Sequence, residues 1–152
     1  MFGIQFGFAS PCEACSKAAF LQTANSAKVK EAIKVARNAQ AQIDGLLAAG
    51  YAADDERVKN YEKAKQGAKK RLPGITFQAT FDETEAKSGK VGRWRKNAAA
   101  RLNGLFVLDI DHIDEAELQR IAEKAKPLCG SEIQLLYRTA SGHGMKVVAK
   151  AD

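Results

Sequence analysis

An apolar segment that ends in two acidic side chains places the strongest constraint on this chain. Residues Leu105–Asp111 read Leu-Phe-Val-Leu-Asp-Ile-Asp, which is typical of a buried β-strand that reaches a polar edge. Because side chains alternate between the two faces of a strand, Asp109 and Asp111 project from the same face. Two neighbouring carboxylates repel each other unless a cation lies between them, so the pattern predicts a site for a hard divalent cation such as Mg²⁺. The alternative is a strand that leaves the core through a polar turn.

The composition fits one domain with an anionic partner. The 152 residues, of which 45% are hydrophobic, suffice for one ordinary core. The net charge of +6 favours a polyanion, such as nucleic acid or nucleotide phosphates. No apolar run approaches the roughly 20 residues that cross a bilayer. The N-terminus lacks the pattern of a secretory signal, so we expect a cytoplasmic protein without membrane association.

The periodicity of the chain predicts an α+β fold. Phe2, Ile4, Phe6 and Phe8 alternate with glycine or glutamine, which indicates a first strand. The later predicted elements are helices over 26–49 and 55–71, a strand over 75–81, a loop over 82–90, a basic helical segment over 92–101, the acidic strand, a helix over 114–126, and hairpin strands over 133–137 and 145–149. This order predicts one domain over residues 1–152, in which helices pack on a mixed sheet.

The turn between the last two predicted strands offers groups that suit a polyphosphate. Gly142 and Gly144 let the backbone come close to a ligand, with unhindered amides for phosphate oxygens. Ser141 adds a hydroxyl group, and Lys146 or Arg138 can supply a cation. Alone, such a turn is also explained as an ordinary hairpin. Together with the two aspartates, it supplies what nucleotidyl transfer requires.

Two basic segments are candidates for contact with a nucleic-acid backbone. The cations that we expect to follow a template are Lys69, Lys70, Arg71, Arg93 and Arg95. Trp94 lies between the last two and could stack on a base, although a core position is the interpretation that we favour. The alternative for the basic helix end is a solvated surface without a partner.

The cysteines allow a third type of site. Cys12 and Cys15 form a Cys-x-x-Cys pair, which binds zinc or acts in redox chemistry in other proteins. A structural zinc site needs four ligands, and only Cys129, His112 and His143 remain to complete it. We expect Cys129 to be a small buried side chain. A zinc or redox protein is therefore the third interpretation.

Three segments of the sequence, taken in order, resemble a known family. Residues 69–77, 104–114 and 141–148 resemble the VirE N-terminal domain family, a primase-polymerase-like branch of the archaeo-eukaryotic primase superfamily. Its members look like the front part of replication proteins of mobile elements and phages. In these proteins a helicase or ATPase domain often follows.

This resemblance implies an RRM-like sheet that carries the catalytic core. Asp109 and Asp111 would fill the paired-acid metal motif, and residues 141–146 would fill the nucleotide-binding motif. Most of the superfamily has a histidine where this chain has Lys146, and His143 is the candidate to replace it. A lysine can hold phosphate but cannot accept a hydrogen bond while it is charged.

The resemblance also implies a third metal-binding acid on a later strand. Three alternatives are open for this acid: it is missing, Asp152 supplies it, or the sequence is a truncated piece that ends before it. We expect truncation. The expected function is that of a DNA primase/polymerase-like nucleotidyltransferase domain, which uses Mg²⁺ or Mn²⁺ and nucleoside triphosphates to form phosphodiester bonds on a DNA template. The alternative is a catalytically degenerate module that binds single-stranded nucleic acid and recruits a helicase.

Overall fold

The computed structural model describes residues 1–7 and 10–151. Phe8 of the predicted first strand and Asp152, the candidate third acid, therefore lie outside the described residues. The described helices are α1 Lys17–Ala24, α2 Ala27–Ala48, α3 Glu56–Lys69 and α4 Glu115–Ala125. The described strands are β1 Phe2–Gln5, β2 Glu13–Cys15, β3 Gly74–Thr76, β4 Ala79–Phe81, β5 Thr84–Glu85, β6 Val91–Gly92, β7 Ala100–Leu102, β8 Leu105–Asp111, β9 Ile133–Arg138 and β10 Gly144–Lys150. The predicted α+β class is confirmed.

The strands are distributed over four small sheets. Their orders are β2-β1-β3, β8-β10-β9, β4-β7 and β5-β6, and every pair of these strands is antiparallel. The single mixed sheet that we expected is thus divided. The strands between residues 74 and 102 are two or three residues long, and they pair with β1 or with one another and not with the seven-residue β8 and β10.

Three of the helices begin at the capping residues that their sequences indicate. The side chains of Ser26, Asp55 and Asp114 accept hydrogen bonds from backbone N–H groups in the first turns of α2, α3 and α4. Ala32, Ala36 and Ala39 form a buried stripe on α2, and small side chains allow a close approach of neighbouring elements. The predictions of these three helices are confirmed.

The basic segment over 92–101 is not a helix, so this prediction was wrong. It is extended up to a 3-10 turn over Asn97–Ala99 and then forms β7. Its backbone groups pair with distant segments, since the Arg93 carbonyl oxygen accepts from the Cys12 N–H at 2.7 Å. Trp94 is half-buried outside the core, and its Nε1 donates to the Lys90 carbonyl oxygen at 3.1 Å.

Three other features differ from the predictions. The strand over 75–81 is broken into β3 and β4, and the loop over 82–90 contains the start of the β5–β6 hairpin. The short elements β2 and α1 were not predicted. Ser16 caps α1, because its Oγ accepts from the Ala19 N–H at 3.1 Å, but an eight-residue helix has too few turns to show a clear apolar period.

The core lies between the two three-stranded sheets. Its buried side chains are Phe2, Ile4, Cys15, Phe20, Phe77, Leu135 and Val148. The rings of Phe2 and Phe20 lie 5.1 and 5.3 Å from that of Phe77, in edge-to-face geometry. Ala125 of α4 packs against the opposite face of the C-terminal sheet. No helix in the described part of the chain is long and apolar enough to cross a membrane.

Candidate functional site

A groove opens beside the C-terminal sheet β8-β10-β9, at the point where the buried core side chains no longer cover the sheet. Its volume is about 520 Å³, and α1, α2, the segment around β3 and the sheet β8-β10-β9 line it. Most of its lining side chains are apolar. The sheet contributes Val107, Asp109, Tyr137, Arg138, Thr139 and Lys146. The groove therefore changes from apolar to polar along the C-terminal strands.

Asp109 and Lys146 meet at the polar end of the groove. They are opposite each other in the β8–β10 register, and the Lys146 ammonium group donates to Asp109 Oδ2. Their side chains keep 47% and 31% of their surface exposed, so a ligand in the groove can reach both. The carboxylate and the ammonium group thus share one accessible position.

Tyr137 lies beside this pair, opposite Lys146 in the β9–β10 register. Burial and the negative charge of Asp109 raise the pKa of Tyr137 to about 12. Its phenol group therefore stays protonated at neutral pH and is a hydrogen-bond donor there, not a base.

Asp111 lies one step further along the same face, opposite Gly144. A Cβ atom at Gly144 would lie 2.5 Å from the Ile110 carbonyl oxygen, 2.6 Å from Asp111 Oδ1 and 3.2 Å from Thr139 Oγ1. Only glycine leaves this space open, and the three nearest atoms are all oxygens. The need for glycine at this position comes mainly from the Ile110 carbonyl oxygen, which belongs to the backbone and cannot rotate away, and the Asp111 carboxylate adds to it.

Gly142 has a different role in the turn. Its φ of 90° is in the left-handed region that favours glycine. Its N–H donates to the Thr139 carbonyl oxygen at 3.1 Å, so this amide is engaged within the turn. Ser141 Oγ lies 3.5 Å from Thr139 Oγ1.

Arg138 and His143 attach the turn to neighbouring helices. Arg138 donates to both carboxylate oxygens of Glu115 on α4, and its Nε donates to the Gly142 carbonyl oxygen at 2.7 Å. His143 Nε2 lies 3.0 Å from Asp44 Oδ2 on α2. The structure therefore brings Lys146, and not His143, next to Asp109.

Part of the predicted basic set lines a second cavity, of about 320 Å³. Lys69, Lys70 and Arg95 are among its lining residues. Leu72 and Pro73 line both this cavity and the groove, so the two are neighbours with a shared wall.

The other two predicted basic residues lie elsewhere. Arg93 lines a separate cavity together with Cys12 and Glu13. Arg71 is exposed at the end of the α3 region. The backbone of Arg93 pairs with Cys12, and this contact places Arg93 at a different cavity from Arg95.

The donor atoms at the polar end fit a hard divalent cation. Asp109 and Asp111 contribute carboxylate oxygens on one face, and Asp111 Oδ1 and Thr139 Oγ1 both border the space above Gly144. Among residues 1–7 and 10–151, no group of three or more His, Cys, Asp or Glu side chains could hold a metal ion. Mg²⁺ is commonly held by one or two protein carboxylates together with substrate phosphates. Two carboxylates therefore leave most of the coordination sphere of such an ion to other ligands.

The cysteine pair is in an unfavourable environment for zinc or redox chemistry. Cys12 and Cys15 are buried, and burial raises the pKa of both thiols. A thiol must lose its proton before it binds metal or attacks a disulfide. Cys129 is exposed, so the prediction of a buried side chain was wrong. It follows the short 3-10 turn Lys126–Leu128, which lies outside the core.

Two groove residues were missed in the sequence. Tyr137 and Thr139 lie on the same face of the β9–β10 hairpin as Lys146. The alternation of that hairpin contained the signal, because positions 137 and 139 have the same parity as 135, which lies in the core.

The comparisons with known proteins correct the family resemblance. The family model that matches is that of the BT4734-like, N-terminal domain, over residues 67–152, which is more than half of the chain. The expected membership of the VirE N-terminal domain family and of the primase superfamily was wrong, because the matching family is a different one. No curated protein and no solved structure matches the chain. The matched region contains β3 to β10 and with them Asp109, Asp111 and Lys146, and the chain belongs to the BT4734-like N-terminal domain family.

Proposed function

We propose that this domain binds a nucleoside triphosphate with Mg²⁺ or Mn²⁺ at the polar end of the groove and joins the nucleotide to the 3′-hydroxyl group of a DNA strand, with cleavage of the α–β phosphate bond and release of pyrophosphate. The main support is one arrangement: Asp109 is paired with Lys146, and Asp111 lies on the same face of the sheet. The groove volume of about 520 Å³ is within the usual range of small-molecule sites.

Each residue of the polar end has a chemical role in this proposal. Asp109 and Asp111 would hold the metal ion, which when bound would lower the pKa of the attacking hydroxyl group and neutralise phosphate charge. Lys146 transfers its contact from Asp109 to a phosphate oxygen and compensates its charge. Tyr137 remains protonated, so its hydroxyl group is available to donate a hydrogen bond to the nucleotide.

Cations next to the groove are the reason that we propose a nucleic-acid strand as the partner. Lys69, Lys70 and Arg95 line the cavity that shares Leu72 and Pro73 with the groove. A nucleic-acid backbone on these residues would pass close to the polar end. Binding would then weaken steeply with salt. Since DNA and nucleoside triphosphates are the proposed substrates, we also propose a cytoplasmic location.

A transfer assay tests the chemistry. The protein is incubated with a DNA primer and template, nucleoside triphosphates and Mn²⁺, and product is compared for wild type, Asp109→Asn with Asp111→Asn, and Asp54→Asn. Asp54 is exposed at the α2–α3 connection and provides the same charge change away from the groove. We expect the double variant to lose at least about 100-fold in rate, since a metal ion supplies several kcal/mol of charge stabilisation. Equal product from the double variant and wild type would refute the proposal.

A second candidate function is that of a non-catalytic module that binds single-stranded nucleic acid and recruits a helicase. Two observations favour it: Lys146 contacts one of the two carboxylates, and the described residues contain no group of three acids around them. This module would bind single-stranded DNA in the presence of a chelator. It would show no metal-dependent affinity for a nucleoside triphosphate, which separates the two candidates.

A further inference from the structure

Helix α2 carries a row of three cations beside the groove. Lys30, Lys34 and Arg37 are spaced by four and three residues, so they lie on one face of the helix. Together with Ile33 and Asn38 they line a shallow cavity of about 410 Å³. Ile33 also lines the groove, so the cation row forms a border of the groove.

The charges of this row have little compensation. Lys30 and Lys34 form no ion pair with another residue of the described part of the chain. Burial and the nearby positive charge of Arg138 lower the pKa of Arg37, while Glu115 acts in the opposite direction. A positively charged surface of this kind attracts a bound anion.

The groove therefore has two basic neighbours. The α2 row adjoins it at Ile33, and the cavity of Lys69, Lys70 and Arg95 adjoins it at Leu72 and Pro73. The groove itself is lined by the half-buried ring of Tyr137 and by the half-buried apolar side chains of Ile33, Leu72 and Ile75, whereas Phe20 and Phe77 in its lining belong to the buried core. Proteins that bind single strands combine cations along the backbone with aromatic and apolar surfaces for the bases. Base faces are accessible in a single strand, whereas a duplex stacks them.

We infer that a single-stranded nucleic acid crosses the groove between the two basic surfaces. Its phosphates contact Lys30, Lys34 and Arg37 on α2, and its bases turn toward the apolar lining. The inference rests on the nucleic-acid substrate of the proposed function, and it adds α2 as a second contact surface for that strand.

Anisotropy of a labelled oligodeoxythymidylate of about 16 nucleotides measures this contact. The variant is Lys30→Gln with Lys34→Gln. The matched control is Lys59→Gln with Lys63→Gln, which removes two exposed charges at the same spacing from α3. We expect the α2 variant to bind about tenfold more weakly at 0.1 M salt. The slope of log K against log salt should decrease by about 1.4, because each single-strand phosphate contact contributes about 0.7. The control should stay within about twofold of wild type.

Two outcomes would overturn the inference. One is that the α2 and α3 variants weaken DNA binding equally, or that neither weakens it. The other is displacement of the oligonucleotide by polyglutamate as effectively as by unlabelled DNA. Titration of Mn²⁺ and ATP into the same variants distinguishes this failure from failure of the proposed function. If the α2 variant binds both the nucleotide and DNA as wild type does, only the α2 path is refuted. If wild type binds neither the nucleotide nor DNA, the proposed function is refuted as well.

Discussion

The β8–β10 pair has a buried end and a polar end that differ sharply on the same face. At the buried end, Val107 is opposite Val148, which is 0% exposed beneath the aromatic core. At the polar end, Asp109 is opposite Lys146, and Asp111 is opposite Gly144. The alternation of side chains and the β8–β10 register are the same at both ends. The two ends differ because core side chains pack over only one of them. Two strands thus provide stability at one end and a rigid platform for charged groups at the other.

The largest effect should come from the buried end. Replacement of Val148 by alanine removes two methyl groups from a position without solvent access and should lower the free energy of unfolding by about 3 kcal/mol. The control is Leu108→Ala on the opposite face of β8, where the side chain is 49% exposed, and it should cost less than about 1 kcal/mol. Urea denaturation followed by circular dichroism measures both. Equal losses would contradict the asymmetry of the strand pair.

A smaller effect is expected from Gly144 at the polar end. The Cβ atom in Gly144→Ala would collide with the Ile110 carbonyl oxygen and Asp111 Oδ1, so we expect a loss of about 2 kcal/mol in unfolding free energy. Gly45→Ala is the control, because a Cβ there has no heavy atom within 4 Å and α2 continues through this position. It should stabilise the protein by about 0.5 kcal/mol.

Thermal unfolding of the two glycine variants gives opposite shifts in Tm under this account. A Gly144→Ala protein as stable as wild type would show that the Ile110 carbonyl oxygen and the Asp111 carboxylate do not need the open space above Gly144.

The C-terminal region was the most predictable from the sequence. β8, α4 and the final hairpin have long periodic patterns and recognisable caps, so their type and approximate position follow from alternation and from Asp114. The common face of Asp109, Asp111 and Lys146 follows from the same alternation once the hairpin and its neighbour are paired. These parts depend on local signals that tertiary contacts reinforce.

The region around residues 82–104 was less predictable. The backbone near Arg93 pairs with Cys12, about eighty residues away along the chain, and such a contact leaves no local periodicity. The cavities that Arg93 and Arg95 line therefore depend on long-range contacts and not on local periodicity. The contact of His143 with Asp44 on α2 is also long-range, so the local sequence did not indicate it. His143 was therefore retained as a candidate for the role of Lys146.

Calorimetric titration of a nucleoside triphosphate, with Mn²⁺ or with a chelator, tests the central claim most directly. The claim is that Asp109, Asp111 and Lys146 form one site for a metal ion and a triphosphate. Wild type and Asp54→Asn should bind the nucleotide at least about tenfold more tightly with Mn²⁺. Asp109→Asn should lose this metal dependence, and Lys146→Met should bind more weakly while it retains the dependence. The same affinity in wild type with Mn²⁺ and with the chelator would contradict the account.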